Sequence, residues 1–289
     1  MGVSVPTRRG LNRPLLRRRL EALVRTFDRR YLDSDPLGRV LRFRDDDDRE
    51  IGGFFAAALA YGNVKQILAS LDGLYARMDG RPAAFVRGYR PARDARRLSG
   101  FRHRWTGGRD IADLCGMLRA ALAEHGRLGA LFAKCRRPGE PTVRDALARF
   151  VTALRRYAPR LPAKAGARYL LSSPEDGSAC KRMNLYLRWM VRGGDGIDCG
   201  LWRDVPASAL VIPLDTHVAR IGGFLGLTHR KTPDWKMAEE ITGALRGLHP
   251  ADPVRYDFAI SRLGILDRCP KHRHPPTCAA CTLFDLCTA

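Results

Sequence analysis

Residues 174–227 read PEDGSACKRMNLYLRWMVRGGDGIDCGLWRDVPASALVIPLDTHVARIGGFLGL, and the rest of the chain is organised around this stretch. It opens on a turn, Pro174-Glu175-Asp176-Gly177-Ser178, which feeds a helix carrying Lys181 in its first turns. Val211-Ile212-Pro213-Leu214 then delivers Asp215 into a second helix, read over 218–225, and a Gly/Asp-rich connection, 193–209, lies between. This arrangement predicts that Lys181 and Asp215 face each other across a cleft and act on nucleic acid. A lysine just inside a Gly-bearing turn sits where the free N–H groups of a helix start bind phosphate. A carboxylate framed by apolar residues is costly unless it has a partner or a task. The plainer alternatives are a surface lysine and a helix-capping aspartate.

Outward from this stretch the chain reads as helices separated by short loops, with few convincing strands, which predicts an all-α protein. Apolar residues recur at helical spacing over 15–31, with arginines on the other face. Asp45-Asp46-Asp47-Asp48 precedes the apolar run 51–61; a metal site is conceivable there, but a carboxylate cluster at a helix N-terminus suits a cap and dipole partner better. Two helices follow, 51–60 and 64–78. Tyr61 and Asn63 sit at their joint, where side chains project from a tight turn and either wedge a base stack or simply cap the second helix. Residues 81–108 read as a basic loop containing a short helix. Helices are predicted at 110–124, 127–135 and 142–157, then a Pro-bearing linker over 158–167. Beyond the central stretch come a helix over 234–247 and another over 253–266. The expected organisation is a basic N-terminal helical segment (1–45), a core (46–266) and a cysteine loop (267–289).

The 289 residues carry 51 Lys and Arg against 30 Asp and Glu, a net charge of +21. Such an excess points to a polyanion, because Lys and Arg release counterions when they neutralise phosphates; a genome-wide preference for Arg codons and an anionic membrane surface are the competing explanations. No apolar run is long enough to span a bilayer, and the basic N-terminus lacks a secretory apolar region, so a cytoplasmic, nucleoid-associated location is expected. The chain is expected to act as a monomer.

Half of the eight cysteines fall between 269 and 287. Cys269, Cys278, Cys281 and Cys287 have the spacing C-x8-C-x2-C-x5-C, and a pair two residues apart readily aims both sulfurs at one centre. Four thiolates close a zinc site or hold a [4Fe-4S] cluster; the long, uneven loops depart from twin zinc knuckles and favour the cluster. Cys115, Cys135, Cys180 and Cys199 read as buried apolar residues.

The segment Asp215-Thr216-His217-Val218-Ala219-Arg220-Ile221, followed by Leu225-Gly226-Leu227, resembles the VDTHV-x-R-(x)n-LGL segment of the helix-hairpin-helix DNA glycosylases, the endonuclease III superfamily. Within it the chain is most similar to a branch known as a domain of unknown function. The resemblance covers about 50–289. It implies a two-lobed helix-hairpin-helix fold, Asp215 as the catalytic carboxylate and Lys181 as the nucleophile of a bifunctional glycosylase. Gly177, Ser178 and Arg182 would hold a phosphate, with His217 and Arg220 near the site. Residues 54–75 are similar to the segment whose turn inserts a side chain into the duplex, which would be Tyr61 or Asn63. The four cysteines resemble the superfamily's [4Fe-4S] loop, usually C-x6-C-x2-C-x5-C. The hairpin has one glycine instead of two, Lys181 and Asp215 lie 34 positions apart, a longer spacing than in endonuclease III and more like that of the archaeal 8-oxoguanine glycosylases, and the first cysteine loop is two residues longer. The implied reaction flips a nucleotide from a damaged or abasic duplex, with Asp215 stabilising positive charge on the sugar and a desolvated Lys181 attacking C1′. Tyr186, Trp189 and Trp202 are candidate pocket aromatics, against simple core packing. The alternatives are a non-catalytic DNA- or RNA-binding protein on the same fold, and an RNA-modifying enzyme using the same pair.

Overall fold

The computed structural model describes residues 12–158, 162 and 166–288. The order is α1 (Arg13–Thr26), α2 (Pro36–Val40), α3 (Asp46–Ala58), α4 (Val64–Arg77), α5 (Pro82–Arg87), α6 (Pro91–Leu98), a hairpin β1 (Arg102–His103) and β2 (Thr106–Gly107), α7 (Gly108–His125), α8 (Leu128–Cys135), α9 (Arg144–Arg156), α10 (Gly166–Leu170), α11 (Lys181–Val191), α12 (Thr216–Phe224), α13 (Trp235–Arg246), α14 (Asp257–Ile265) and α15 (Pro275–Ala279). Among the described residues the protein is all-α apart from that hairpin. The N-terminal eleven residues and most of the predicted 158–167 linker lie outside the described residues.

Helix α3 is the central strut, buried from Glu50 to Ala58. The aspartate run serves its start: Asp45 Oδ1 accepts from the N–H groups of Asp47 (2.9 Å) and Asp48 (3.2 Å), and the next three carboxylates sit at the positive end of the helix. Asp48 Oδ1 also accepts from Ala83 N at 2.8 Å, tying in α5. Two glycines let other elements approach α3. A Cβ at Gly52 would lie 2.5 Å from the Phe43 ring, and one at Gly53 would lie 3.0 Å from Met190 Cε of α11. Helix α11 crosses α3 there, with Tyr186 edge-on to Phe54 at 5.3 Å and its hydroxyl donating to the Glu50 carbonyl (3.2 Å).

Region 81–108 differs from the expected loop with one short helix. It holds α5, α6 and the two-residue hairpin, whose buried His103 and Thr106 are anchored to Tyr61 and Ser70.

Connection 193–209 folds back on α11, with Cys199 N donating to Trp189 O (2.9 Å) and Trp202 N to Met190 O (2.8 Å). It also closes a buried ionic network. Arg188 pairs with Asp198 (3.0 Å) and Asp257, and Arg192 with Asp198, Asp195 (2.8 Å) and Asp252 (3.0 Å). This network fastens α11 to the start of α14. Helix α14 packs on α12 and on α1, where Glu21 accepts from Tyr256 Oη (2.8 Å) and pairs with Arg255 (3.0 Å). Leu16, Leu20 and Leu23 of α1 are buried in the same core, with Arg17 and Arg18 exposed. Among the described residues no helix is long and apolar enough to cross a membrane.

Candidate functional site

One wall of the main cleft is the start of α11, preceded by a turn that stops the chain from running into the helix early. Ser173 Oγ accepts from Glu175 N (3.3 Å), and Gly177 takes a left-handed conformation (φ 71°) that favours glycine. Cys180 is left-handed as well (φ 48°), a strained state for a residue with a side chain. It is held by Ser178, whose Oγ accepts from Cys180 N at 3.1 Å. Burial pushes the Cys180 thiol up to about 11, so it is not a thiolate near neutral pH. The helix then begins at Lys181.

Pro213 and Leu214 also line the cleft, on a segment whose Val211, Ile212 and Leu214 are buried and whose Ile212 N donates to Thr242 Oγ1 of α13 (3.0 Å). Asp215 leaves this segment in an extended conformation and caps α12, Oδ1 accepting from Val218 N at 2.7 Å. Oδ2 takes no hydrogen bond from the described residues. Asp215 thus both caps α12 and lines the cleft.

Lys181 and Asp215 line the same cleft, about 1000 Å³ in volume, with Asp35, Tyr61, Asn63, Lys65, Tyr169, Ser178, Arg182, Arg188, His217, Asp257 and Arg262 on its other sides. Lys181 Nζ donates to the Ala60 carbonyl (2.8 Å) just past the end of α3. Burial depresses the lysine's pKa; Asp215 opposes this most strongly, followed by Asp257 and Asp35. Its place at the positive end of α11 works in the same direction as burial. Asp257 is the complementary group. Burial pushes its carboxyl up to about 6 despite the paired Arg188, and the negative charge of Asp215 adds to the rise.

The other expected residues divide. His217 faces the cleft and packs on Gly264 of α14 so closely that a Cβ there would sit 2.5 Å from it. Ser178 lines the cleft, while Gly177 is exposed on the turn behind it. Asn63 lines the cleft and caps α4, its Oδ1 accepting from Lys65 N (2.9 Å). Tyr61 is fastened rather than free. Its hydroxyl donates to His103 O (3.1 Å), lies 2.6 Å from Thr106 Oγ1, and its ring stacks on Trp105. Arg182 is buried, its guanidinium bonded to the carbonyls of Ala58 and Tyr169 and 4.2 Å from the Tyr169 ring. Arg220 stands outside the cleft lining and donates to the Cys269 carbonyl at 2.8 Å. Tyr186, Trp189 and Trp202 are core residues; Trp202 stacks on Phe132 at 5.3 Å, and none of the three lines the cleft. Nor does connection 193–209. The aromatics facing the cleft are Tyr61 and Tyr169.

Sequence reasoning missed Asp257, Asp35 and Tyr169. An acid inside Tyr256-Asp257-Phe258-Ala259-Ile260 is the same signal that singled out Asp215.

The model for the family described as "Protein of unknown function (DUF2400)" matches residues 35–266. The chain belongs to this family. No curated protein and no solved structure matches it. The DUF2400 region takes in Asp35, Asp257 and Arg262, with Arg262 paired to Asp35 at 2.7 Å, and contains the Lys181–Asp215 pair entire.

The four cysteines lie beyond the DUF2400 match. Cys269, Cys278, Cys281 and Cys287 line one small pocket with His272, Arg273 and Phe284. The N–H groups of His274 and Leu283 point at the sulfurs of Cys278 and Cys281, at 3.3 and 3.4 Å. Thiols with backbone donors to their sulfurs are the donor chemistry of an iron–sulfur site. Among the described residues no group of three or more His, Cys, Asp or Glu side chains is arranged to hold a metal ion, so the chemistry fits while the coordination is not closed.

Proposed function

We propose that this chain is a nucleic-acid enzyme of the helix-hairpin-helix kind, a DNA base-excision glycosylase with lyase activity, whose nucleophile is Lys181 and whose catalytic carboxylate is Asp215. The observation that carries the reading is that an amine with a depressed pKa and a carboxylate with a free oxygen line one cleft large enough for a nucleotide. The order α10, turn, α11 is the helix–hairpin–helix of this reading. In this reading one lobe would be built around α3 and α7 and the other from α1 and α12–α14, with the cleft between them.

Burial favours the neutral amine, the form a nucleophile requires. The Lys181 amine keeps one N–H on the Ala60 carbonyl and uses its lone pair on C1′ of an extruded nucleotide. The glycosidic bond breaks, the base leaves with the bonding electrons, and the amine loses a proton. The Asp215 side chain stabilises the positive charge on the sugar as the base departs. Ring opening then places the lysine nitrogen in a Schiff base, and loss of a C2′ proton expels the 3′ phosphate. Asp257, with its raised pKa, sits where it can hand a proton to the leaving base or take the C2′ proton. Cys269, Cys278, Cys281 and Cys287 would hold a [4Fe-4S] cluster, or zinc, as a staple; Arg220, bonded to the Cys269 carbonyl, links that loop to the helix that Asp215 caps.

Base release and strand cleavage on duplexes carrying an abasic site, uracil or 8-oxoguanine test the proposal. Wild type is expected to cleave at least one of them, Lys181→Ala to lose cleavage, and Asp215→Asn to lose base release. A second reading, a binding protein without chemistry, draws on the structural roles both residues already have: Lys181 bonded to Ala60 and Asp215 capping α12. Tight duplex binding with no base release or cleavage on any substrate would favour it.

A further inference from the structure

We infer that the tip of the β1–β2 hairpin is a stacking platform for an unpaired nucleobase, with Trp105 taking the face of the base and Arg102, Arg104 and Lys65 neutralising the phosphates of its strand. Trp105 keeps 54% of its surface exposed, whereas the other tryptophans, Trp189, Trp202 and Trp235, are at 0%, 4% and 4%. Its indole stacks on Tyr61 (centroids 5.0 Å apart, planes 24° apart) and meets Tyr169 edge-on at 5.7 Å; Tyr169 is itself 47% exposed. Because Tyr61 and Tyr169 line the cleft, the platform forms its rim.

The tip is held in place rather than left to wander. Strand pairing sets Arg102 opposite Gly107 and His103 opposite Thr106, and Arg104 turns the chain through a left-handed conformation (φ 53°). Below the tip, His103 Nε2 lies 2.9 Å from Tyr61 O and its Nδ1 3.0 Å from Ser70 Oγ. This anchoring of buried polar groups leaves the two residues at the tip, Arg104 and Trp105, facing solvent. A large apolar plane presented on a fixed hairpin is an exposed surface that a partner can cover.

Charge identifies the partner. The Arg104 guanidinium lies 4.7 Å from the indole centroid, and Arg102, Arg104 and Lys65 are exposed with no carboxylate partner among the described residues. A fixed aromatic plane beside uncompensated cations is how single strands are bound without sequence preference, since every base has a π face and every nucleotide a phosphate. The inference shares a nucleic-acid partner with the proposed function but needs no chemistry at Lys181.

The test is titration of the full chain with an undamaged single-stranded oligonucleotide, read by intrinsic tryptophan emission and, in parallel, by anisotropy of a labelled strand. With the other tryptophans buried, a saturable emission change reports Trp105. Trp105→Ala is expected to weaken binding about tenfold or more, and Trp105→Phe to keep most of the affinity while losing the emission change. Heparin, a polyanion without bases, is expected to leave the emission unchanged. Wild-type affinity in Trp105→Ala, or an equal emission change with heparin, would overturn the platform and leave only a basic surface. Since the strand carries no lesion, a chain that stacks but never excises would sink the proposed reaction alone, and one that excises but does not stack would sink this inference alone.

Discussion

Replacing Glu50 should come close to unfolding the protein, although it touches neither the cleft nor the charged surface. Glu50 is 1% exposed. Its carboxylate accepts from the first two N–H groups of α8, Leu128 (3.0 Å) and Gly129 (3.0 Å), and from Trp202 Nε1 at 2.7 Å. The buried side chain is thus held by a helix N-terminus and an indole, with Arg127 3.9 Å away. Truncation to alanine strands these donors without an acceptor, and each buried unsatisfied group costs about 1–3 kcal/mol. With three such donors the expected loss for Glu50→Ala is about 3–9 kcal/mol, against a native stability of about 5–15 kcal/mol. Glu50→Gln keeps one carbonyl oxygen for Gly129 and Trp202 but turns an amide toward Leu128 N, for an expected loss of about 1–3 kcal/mol. Urea unfolding followed by far-ultraviolet circular dichroism measures both, with an unchanged slope confirming that stability alone moved. If Glu50→Ala lies within about 1 kcal/mol of wild type, the carboxylate is not what joins α3, α8 and connection 193–209.

Other expectations follow from the cleft and the tail. Gly264→Ala would place a Cβ 2.5 Å from His217 and force α12 and α14 apart; a loss of about 1–3 kcal/mol and reduced strand cleavage are expected, and unchanged melting would contradict the packing. Asp257 titrates at about 6 in the fold against 3.8 ordinarily, so its stabilising contribution is complete below 3.8 and is lost as pH rises through 6. The stability of wild type relative to Asp257→Asn should therefore fall by a few kcal/mol from about pH 4 to pH 7, and a flat difference would refute the burial argument. Protein purified without oxygen is expected to contain iron and acid-labile sulfide in cubane ratio, lost in Cys278→Ser; stoichiometric zinc without sulfide would assign the loop to the other metal.

Much of the helical frame was legible because its signals are local. Asp45 and Asp234 announce α3 and α13 as capping residues, and apolar periodicity marks α7, α8 and α9. The cleft pair was legible for the same reason, since Lys181 and Asp215 both stand at helix starts. What escaped depends on contacts distant in sequence. The hairpin at 102–107 offers no apolar alternation, and its anchors, His103 and Thr106, are polar residues buried only because Tyr61 and Ser70 lie beneath them. Tyr186, Trp189 and Trp202 are near Lys181 in sequence, yet α11 turns two of them into the core, and Glu50 draws the third there. The resemblance implies that Arg182 holds a phosphate, but its partners are two carbonyls and an aromatic ring supplied by α3 and α10. Neighbourhood in sequence does not decide which face of a helix meets the cleft.

The central claim is that Lys181 is the nucleophile, and the most direct measurement locates the covalent bond itself. Wild-type protein incubated with an abasic-site duplex and borohydride is digested with protease and nuclease, and the modified peptide is sequenced by mass spectrometry. The account predicts a reduced sugar remnant on the Nζ of Lys181, and none in Lys181→Ala. A remnant on another lysine or on the N-terminal amine would contradict it, as would the absence of any adduct on a duplex that the protein binds tightly.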